Sequence, residues 1–394
     1  MKSNLNVLWL PGWYPNKLDF LPGDFIHRHA MAVSSWANIS VLYVTKDTTL
    51  AFNKSYIESE EFNGLTIYRG YYNCSPKFTL VSKVWSVLLH LNLLLKLYEV
   101  ARKSKGNFQL VHVHISLRQG LLAQWLKWKY KIPYLITEQN SWFMPVGNQY
   151  YTTSRMLRKV IASNFKNADA LHVVSASLGD SLKRKFGFVR SFTLIPNVVD
   201  TNIFHPAPPS FAEEKNTFFS ITSDVYHKNT DGVLRAFALF LKEGNTALLE
   251  IAGPNYEGLI ELVKQLAIEN SVIFLGSIGY SEIAKKMRDA DAFIFFTRYE
   301  TFGCVMAEAL CCGTPVIASR LPVLEENLQE NENAIFVAPE NEQELAQKMA
   351  TFIAQKKSFD QVDIAIKAHA KYNYKKVGSD FFELYKNVLA KNIS

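Results

Sequence analysis

The chain has 394 residues, 48% hydrophobic and 20% charged, which is too apolar for a disordered protein and too long for one ordinary core, so two globular domains are expected. Its formal net charge of +7 is unevenly placed: residues 1–200 hold 24 Lys and Arg against 11 Asp and Glu, and residues 201–394 hold 19 against 25. No G-x-G-x-x-G or P-loop pattern occurs, which removes the usual support for a dinucleotide-binding or simple ATPase reading, and Cys74, Cys304, Cys311 and Cys312 lack paired metal spacing and read as reduced, buried thiols.

Residues 6–10 form the first predicted strand. They are the only apolar run near the start, too short for a signal or a spanning helix, and this predicts a cytoplasmic protein. Residues 11–23 make a long loop with three prolines and two glycines, closing on a helix over 25–36 that Asp24 is expected to cap. Such a loop, ending at a helix N-terminus, is where α/β folds hold phosphates. Strands follow at 41–45 and 65–72, an amphipathic helix at 80–104, and a strand at 110–115 that carries His112 and His114. The two histidines alternate and are expected on opposite sides of the sheet. His114, nearer the carboxyl end, is then the site candidate, with a satisfied structural histidine as the alternative. A helix at 120–128 and a strand at 134–137 lead to the 138–145 loop on the same edge, which makes Glu138 and Asn140 secondary candidates for touching a substrate.

Residues 77–131 hold ten basic residues and one acid, Glu99, interleaved with Trp85, Leu88, Leu91, Leu95, Trp125 and Trp128. That pattern suits an anionic, partly apolar partner, a membrane face or a lipid-linked phosphate, rather than nucleic acid; a core-facing helix with a solvated basic side is the other reading.

Asn167-Ala168-Asp169 precedes a strand at 170–174, and Asp289-Ala290-Asp291 precedes another at 292–296. The echo suggests two similar α/β domains. The proline cluster at 206–209 reads as the linker, giving a first domain over 1–204, a second over 205–375 and a C-terminal helix over 376–394 packing back toward the first. Within the second, strands at 218–222, 247–252 and 272–275 alternate with helices at 230–241, 259–268 and 281–290, so the sheet is parallel and doubly wound. The stretch ETFGCVMAEALCCGT, residues 300–314, then gives a loop, a helix over 304–312 and a stop at Gly313 before the next strand. Glu300 would stand at the carboxyl end of a parallel strand, Gly303 would turn the backbone, and Glu308 would lie about one turn inside the helix. Spacing alone leaves two readings: a ligand site, or a helix charge and a surface acid. Beyond 337 the chain is helical and polar, with a final amphipathic helix at 381–389.

ETFGCVMAE resembles the E-x7-E signature of the retaining glycosyltransferases of family 4, and HVVSASL, IPNVVDTNIF, HKNTDGVLRAF, IAGPN, VIFLG and GTPVIAS agree with that family in order and spacing over nearly the whole chain. The resemblance implies the α/β GT-B architecture: two facing Rossmann-like, doubly wound parallel-sheet domains with an interdomain donor cleft. It implies that Glu300 contacts the transferred sugar, that backbone N–H groups of Phe302, Gly303 and Cys304 meet its hydroxyls, and that Glu308 holds the nucleotide ribose. Lys228 would face the donor pyrophosphate, His114 would lie near the transferred sugar and Gly23 would belong to the phosphate loop.

The implied reaction moves a hexose or N-acetylhexosamine, with retention, from a donor such as a UDP- or GDP-sugar to a glycan or lipid-linked acceptor, in assembly of cell-surface polysaccharide or glycoconjugate. No metal is expected, and the enzyme would be peripheral on the inner face of the membrane. A nucleotide-sugar epimerase or hydrolase, or a non-catalytic sensor, are the alternatives. The chain departs from the family in three places. Ser223 stands where an arginine is usual, with Arg298 a candidate replacement; the 22–24 loop has one glycine where a pair is common; and Val198 follows Asn197 where glycine is usual. Asp289 and Asp291 fit a D-x-D metal pattern of another architecture, but they precede a strand and belong to the edge opposite Glu300.

Overall fold

Every residue but the first of Asn6–Pro11 (β1) is buried, because a parallel strand covered on both faces takes a continuous apolar run. The computed structural model describes residues 2–20, 22–74, 80–145, 149–187, 191–206, 216–223, 225–254 and 256–392. It divides into two units, Met1–Val198 with Tyr374–Ser394, and Val199–Asn373. Most of the 206–209 cluster read as a linker, and Lys77, lie outside the described residues.

In the first unit β1 is followed by β2 (Asn38–Lys46), β3 (Ser55–Phe62), β4 (Leu65–Tyr72), β5 (Leu110–His114), β6 (Tyr134–Glu138), β7 (Ala170–Val173) and β8 (Thr193–Leu194). The order is β3-β4-β2-β1-β5-β6-β7-β8, parallel throughout except that β3 runs antiparallel to β4. Strand β3, SYIESEEF, carries no sequence signal of burial because it is a mostly exposed edge. Its helices are α1 (Asp24–Ser34), α2 (Leu80–Lys105), α3 (Gly120–Tyr130), α4 (Gln149–Thr152), α5 (Arg155–Asn167) and α6 (Ala176–Phe186). The chain leaves β1 in one direction and later returns past it in the other. Right-handed crossovers therefore put α1 on one face of the sheet and α2 and α3 on the opposite face. Asp24 does not cap α1. Gly23 holds the cap position at φ +79°, with no side-chain bond, and Asp24 lies inside the first turn, paired with Arg28 Nε at 2.8 Å.

The second unit has β9 (Thr217–Ile221), β10 (Leu248–Ala252), β11 (Val272–Gly276), β12 (Ala292–Phe295), β13 (Val316–Ser319) and β14 (Ala334–Val337), all parallel in the order β11-β10-β9-β12-β13-β14. Its helices are α7 (Val225–Lys228), α8 (Thr230–Lys242), α9 (Glu257–Gln265), α10 (Tyr280–Asp289), α11 (Cys304–Cys311), α12 (Pro322–Glu325), α13 (Glu342–Gln355) and α14 (Gln361–Tyr372). The winding direction reverses between β9 and β12, which makes their carboxyl ends the expected ligand crevice of this sheet.

The last helix, α15 (Tyr374–Ala390), belongs to the first unit and packs on α1. It begins seven residues before the periodic apolar run that betrays it in the sequence. Its contact with α1 is close because Gly378 lies over α1: a Cβ there would come within 2.2 Å of the Ala32 carbonyl oxygen.

The Ala-Asp turns are a repeated device. Asp169 donates its N–H to Tyr134 O at 2.8 Å and accepts Tyr134 N–H on Oδ2 at 3.0 Å, while Lys127 Nζ holds Oδ1 at 2.7 Å. Asp291 donates to Thr217 O at 2.9 Å, accepts Thr217 N–H on Oδ2 at 2.8 Å, and has Lys356 Nζ on Oδ1 at 2.9 Å. Both clamp the amino end of a neighbouring strand, so both oxygens of Asp291 are engaged far from the carboxyl edge.

Candidate functional site

In the second unit the chain leaves β12 at Phe295 and reaches α11 through residues 296–303. Gly303, at φ +91°, makes the turn; a Cβ there would sit 3.0 Å from the Phe295 ring in a backbone region that side chains rarely adopt. Its carbonyl accepts Met306 N–H and Ala307 N–H, opening the helix, and Phe302 is buried edge-on against Tyr372. Glu308 is buried on α11 and Cys304 is half-buried at its start.

Glu300 lies in this loop, 8% exposed. Its Oε1 takes Lys228 Nζ at 2.5 Å and has His227 Nε2 at 3.3 Å. Burial alone would raise its pKa, but the Lys228 ammonium and the His227 contact outweigh burial and hold the carboxyl down to about 2. No partner is found for Oε2 among the described residues. Lys228 closes the short α7, and Asn229 follows at φ +52°, a left-handed position that asparagine tolerates. The two segments are stitched together: the His227 carbonyl accepts Thr297 Oγ1–H at 2.9 Å and Arg298 N–H at 3.0 Å. Nearby, Gly253 at φ +131° would place a Cβ 1.7 Å from the Thr222 carbonyl oxygen, so the carboxyl ends of β9 and β10 meet as bare backbone. Ser223 is exposed beyond β9.

The side chain of Arg298, the candidate replacement cation, is engaged with other groups than Glu300. Its guanidinium bonds Glu340, donates to Tyr226 O at 2.6 Å, lies 3.7 Å from Asp231 Oδ1 and stacks over the Tyr226 ring. The neighbour of Glu300 that the sequence does not announce is His227, whose only signal is its place before Lys228 at a helix opening.

In the first unit His112 and His114 face the same side of β5, with ring centroids 3.9 Å apart. Residues two apart on a strand share a face, so the expectation of opposite sides was wrong. Both point toward α1 and α15. Trp9 stacks on His114 at 4.0 Å, and His114 is fully buried, with no hydrogen-bond partner on either ring nitrogen among the described residues. The surrounding imidazoles are ordered. Tyr385 O–H meets His112 Nδ1 at 2.7 Å, His112 Nε2 meets Thr137 Oγ1 at 2.5 Å, and Thr137 Oγ1 meets His172 Nδ1 at 2.8 Å. Burial keeps both rings neutral, so with His172 Nε2–H donating to Ile195 O at 2.9 Å its Nδ1 accepts Thr137 Oγ1–H, Thr137 accepts His112 Nε2–H and His112 Nδ1 accepts Tyr385 O–H. His29 has its own partners, Pro196 O at 3.2 Å and Gln139 Nε2 at 3.3 Å, and its ring lies 6.2 Å from that of His172 and 6.5 Å from that of His114. Burial lowers the pKa of all four histidines, His29 to about 4 and His172 to about 3.

Ile115, directly after His114, has φ +61°, an outlier for a β-branched residue, and Gln119 Nε2–H holds its carbonyl at 2.6 Å. No sequence pattern announces this. Glu138 does not offer a free carboxylate: it is fully buried and accepts N–H groups of Ser116, Gln139 and Asn140 at 3.0, 3.0 and 2.9 Å. Burial pushes its carboxyl up to about 7 despite those donors. Asn140 accepts Trp142 N–H at 3.1 Å. Gly23 needs its lack of a side chain, since a Cβ would lie 2.4 Å from the Trp13 carbonyl oxygen.

Two family models cover residues 57–369 between them: the one described as Glycosyltransferase Family 4 matches 57–203, and the one described as Glycosyl transferases group 1 matches 202–369. The chain belongs to the family 4-like glycosyltransferases. Among its relatives, the alpha-monoglucosyldiacylglycerol synthase of Streptococcus pneumoniae is 28% identical over 58% of this chain and 55% of that protein. The N-acetyl-alpha-D-glucosaminyl L-malate synthase of Bacillus anthracis is 24% identical over 60% and 62%. The chain thus spans little more than half the length of these curated relatives. Among solved structures, sucrose-phosphate synthase from Thermosynechococcus elongatus superposes with TM-score 0.73 at 16% identity over 98% of this chain and 100% of that one. Anabaena HepE, in complex with UDP and glucose, gives 0.71 at 15% over 98% and 100%. The shared fold of this family 4-like chain is GT-B, with two Rossmann-like α/β units.

Proposed function

We propose that the protein is a retaining glycosyltransferase that moves a hexose or N-acetylhexosamine from a nucleotide-diphosphate donor to a glycan or lipid-linked acceptor. The observation that carries this reading is Glu300: an ionised, nearly buried carboxylate with Lys228 on Oε1, His227 Nε2 at 3.3 Å from the same oxygen and Oε2 left for a ligand hydroxyl, in the loop that leads into α11. A carboxyl held at about 2 is a weak base and a weak nucleophile at neutral pH, which suits an acceptor of sugar hydroxyl bonds better than double displacement. Retention would then follow from departure and attack on one face, with the leaving phosphate helping to deprotonate the acceptor.

In this assignment backbone N–H groups at Phe302, Gly303 and Cys304 meet the sugar, Glu308 holds the ribose and Lys228 meets the diphosphate. The leaving group gains negative charge as the glycosidic bond breaks; a fixed ammonium and helix N-termini stabilise it, so the reading calls for no metal ion. Gly23 and His114 are assigned to the donor side of the first unit. The donor class draws support from HepE, solved with UDP and glucose, and from the two relatives' names, which specify glucosyl and N-acetylglucosaminyl products.

The acceptor belongs, in this proposal, to the first unit and to an anionic membrane surface on the cytoplasmic side. Val84, Trp85, Leu88 and Leu95 are 40–52% exposed on one stripe of α2 with Lys96 and Lys103, and α3 beside it exposes Trp128 and Lys129, with Lys131 exposed just after it. By length and composition Val84–Lys105 could cross a membrane, but it packs on β2 and β4 with a third of it buried, which favours a surface role.

The test is a thermal-shift panel of UDP, GDP and ADP and their sugars on wild type and Glu300→Gln, followed by product analysis. One nucleotide series is expected to raise Tm in both proteins, with transfer lost only in the variant. A panel in which no nucleotide shifts Tm would overturn the reading, and rapid sugar conversion without acceptor would replace it with an epimerase or hydrolase.

A further inference from the structure

Lys228 cannot serve a diphosphate and Glu300 fully at once. Its ammonium sits 2.5 Å from Glu300 Oε1 on a flexible four-carbon stem, 5.0 Å above the Phe295 ring. A bound diphosphate carries more negative charge than one carboxylate and draws a mobile point charge toward itself. Glu300 would then be a nearly buried anion short of a donor, and Arg298 is committed to Glu340, Tyr226 and Asp231.

His227 is placed differently. Its Nε2 lies 2.7 Å from Tyr299 O and 3.3 Å from Glu300 Oε1, and both of these are acceptors only, so Nε2 carries the hydrogen, which Tyr299 O takes at the shorter distance and Glu300 Oε1 shares only as the longer arm while Lys228 is in place. The ring is fixed. It stacks on Tyr299 with centroids 4.1 Å apart and planes 6° from parallel, while its own carbonyl accepts Thr297 Oγ1–H and Arg298 N–H. A ligand that moves Lys228 leaves these contacts in place.

We propose that His227 is a positioning residue for the transfer step, its Nε2–H keeping Glu300 in place through Oε1 when the ammonium of Lys228 turns to the diphosphate. The inference rests on the transferase reading above and adds a residue to it. Histidine is thereby the static donor to Glu300 and lysine the mobile one.

His227→Phe keeps the stack on Tyr299 and deletes the donor; His227→Gln restores an amide N–H near the position of Nε2. The first measurement is the carboxyl 13C chemical shift of Glu300 at about pH 7, assigned by its loss in Glu300→Gln, with and without the nucleoside diphosphate that raises Tm most. In the phenylalanine variant the resonance is expected to move away from its wild-type position, further with diphosphate bound, and in the glutamine variant to stay near wild type. Turnover should fall about tenfold in the phenylalanine variant, recover in the glutamine one, and leave affinity for the free diphosphate within about twofold. An unmoved Glu300 resonance in diphosphate-bound His227→Phe overturns the proposal. So does a loss of diphosphate affinity as large as the loss of turnover, which would make His227 a phosphate ligand. If wild type transfers no sugar at all, the transferase reading fails while the Glu300 resonance still decides whether His227 holds Glu300.

Discussion

The buried imidazoles of the first unit give its stability a defined pH dependence. His29, His112, His114 and His172 are all depressed below their ordinary value, so the unfolded chain binds more protons than the folded one as pH falls below about 6.5. Their contribution is present above that value and is lost toward the folded values, about 4 for His29 and about 3 for His172. His29 alone accounts for about 3 kcal/mol. Glu138 acts in the opposite sense: raised to about 7, it contributes below its ordinary value and loses that contribution as pH rises toward neutrality. One carboxyl against four imidazoles leaves a net loss of stability on acidification. The urea midpoint should therefore fall steadily from pH 7 to pH 4.5, and His172→Asn should flatten that slope; a flat wild-type profile would contradict the ordered neutral chain from Tyr385 to Ile195. At this scale the sequence was partly legible. Glu300, Gly303 and Lys228 stand out because an acid, a glycine and a lysine sit at strand ends in a recognisable order. The role of His227 depends on two acceptors supplied by a loop seventy residues away, and the strain at Ile115 contradicts its own local preference.

Among elements, the Asp169 and Asp291 clamps explain why an Ala-Asp turn precedes a strand in both units. Each carboxylate closes a two-way backbone bond with the strand beside it and holds a lysine from a later or earlier helix, so each fixes strand register at the amino edge. Asp291→Ala leaves Thr217 N–H and Lys356 without that partner and should cost about 2 kcal/mol in chemical unfolding. Asp289→Ala should stay within about 0.5 kcal/mol, since substitutions away from such features usually do. Equal losses would point to a shared metal site instead of a clamp. Central strands such as β1 and β12 could be read directly, because continuous apolar runs of that length have few other uses. Strand β3 could not, being held by backbone pairing to β4 and not by apolar side chains. The start of α15 was hidden for the same reason: its apolar periodicity is clear only from Phe381, whereas Gly378, which seats it on α1, looks in the sequence like a break.

At the scale of the whole molecule, the excess of basic residues in the first half becomes a surface only after folding. Helix α2 covers the sheet with Leu93, Leu94 and Leu97 and leaves Trp85 and Leu88 outside, so its apolar residues serve two faces, and this is why its sequence resembles a membrane span. Lys96 and Lys103 continue the outer stripe, and Lys129 on α3 and Lys131 just after it are exposed as well. If this face rests on an anionic bilayer, attraction and insertion make separable contributions. Lys96→Glu with Lys103→Glu should weaken sedimentation with vesicles containing anionic lipid, and salt should do the same, because exposed charges are screened over about 8–10 Å near physiological ionic strength. Trp85→Ser with Leu88→Ser should weaken binding at every salt concentration, since buried apolar area is not screened. Neutral vesicles should bind neither wild type nor variants strongly. Equal sedimentation of wild type and the charge-reversed protein with anionic vesicles would remove the membrane from this account and leave a soluble glycan as the acceptor.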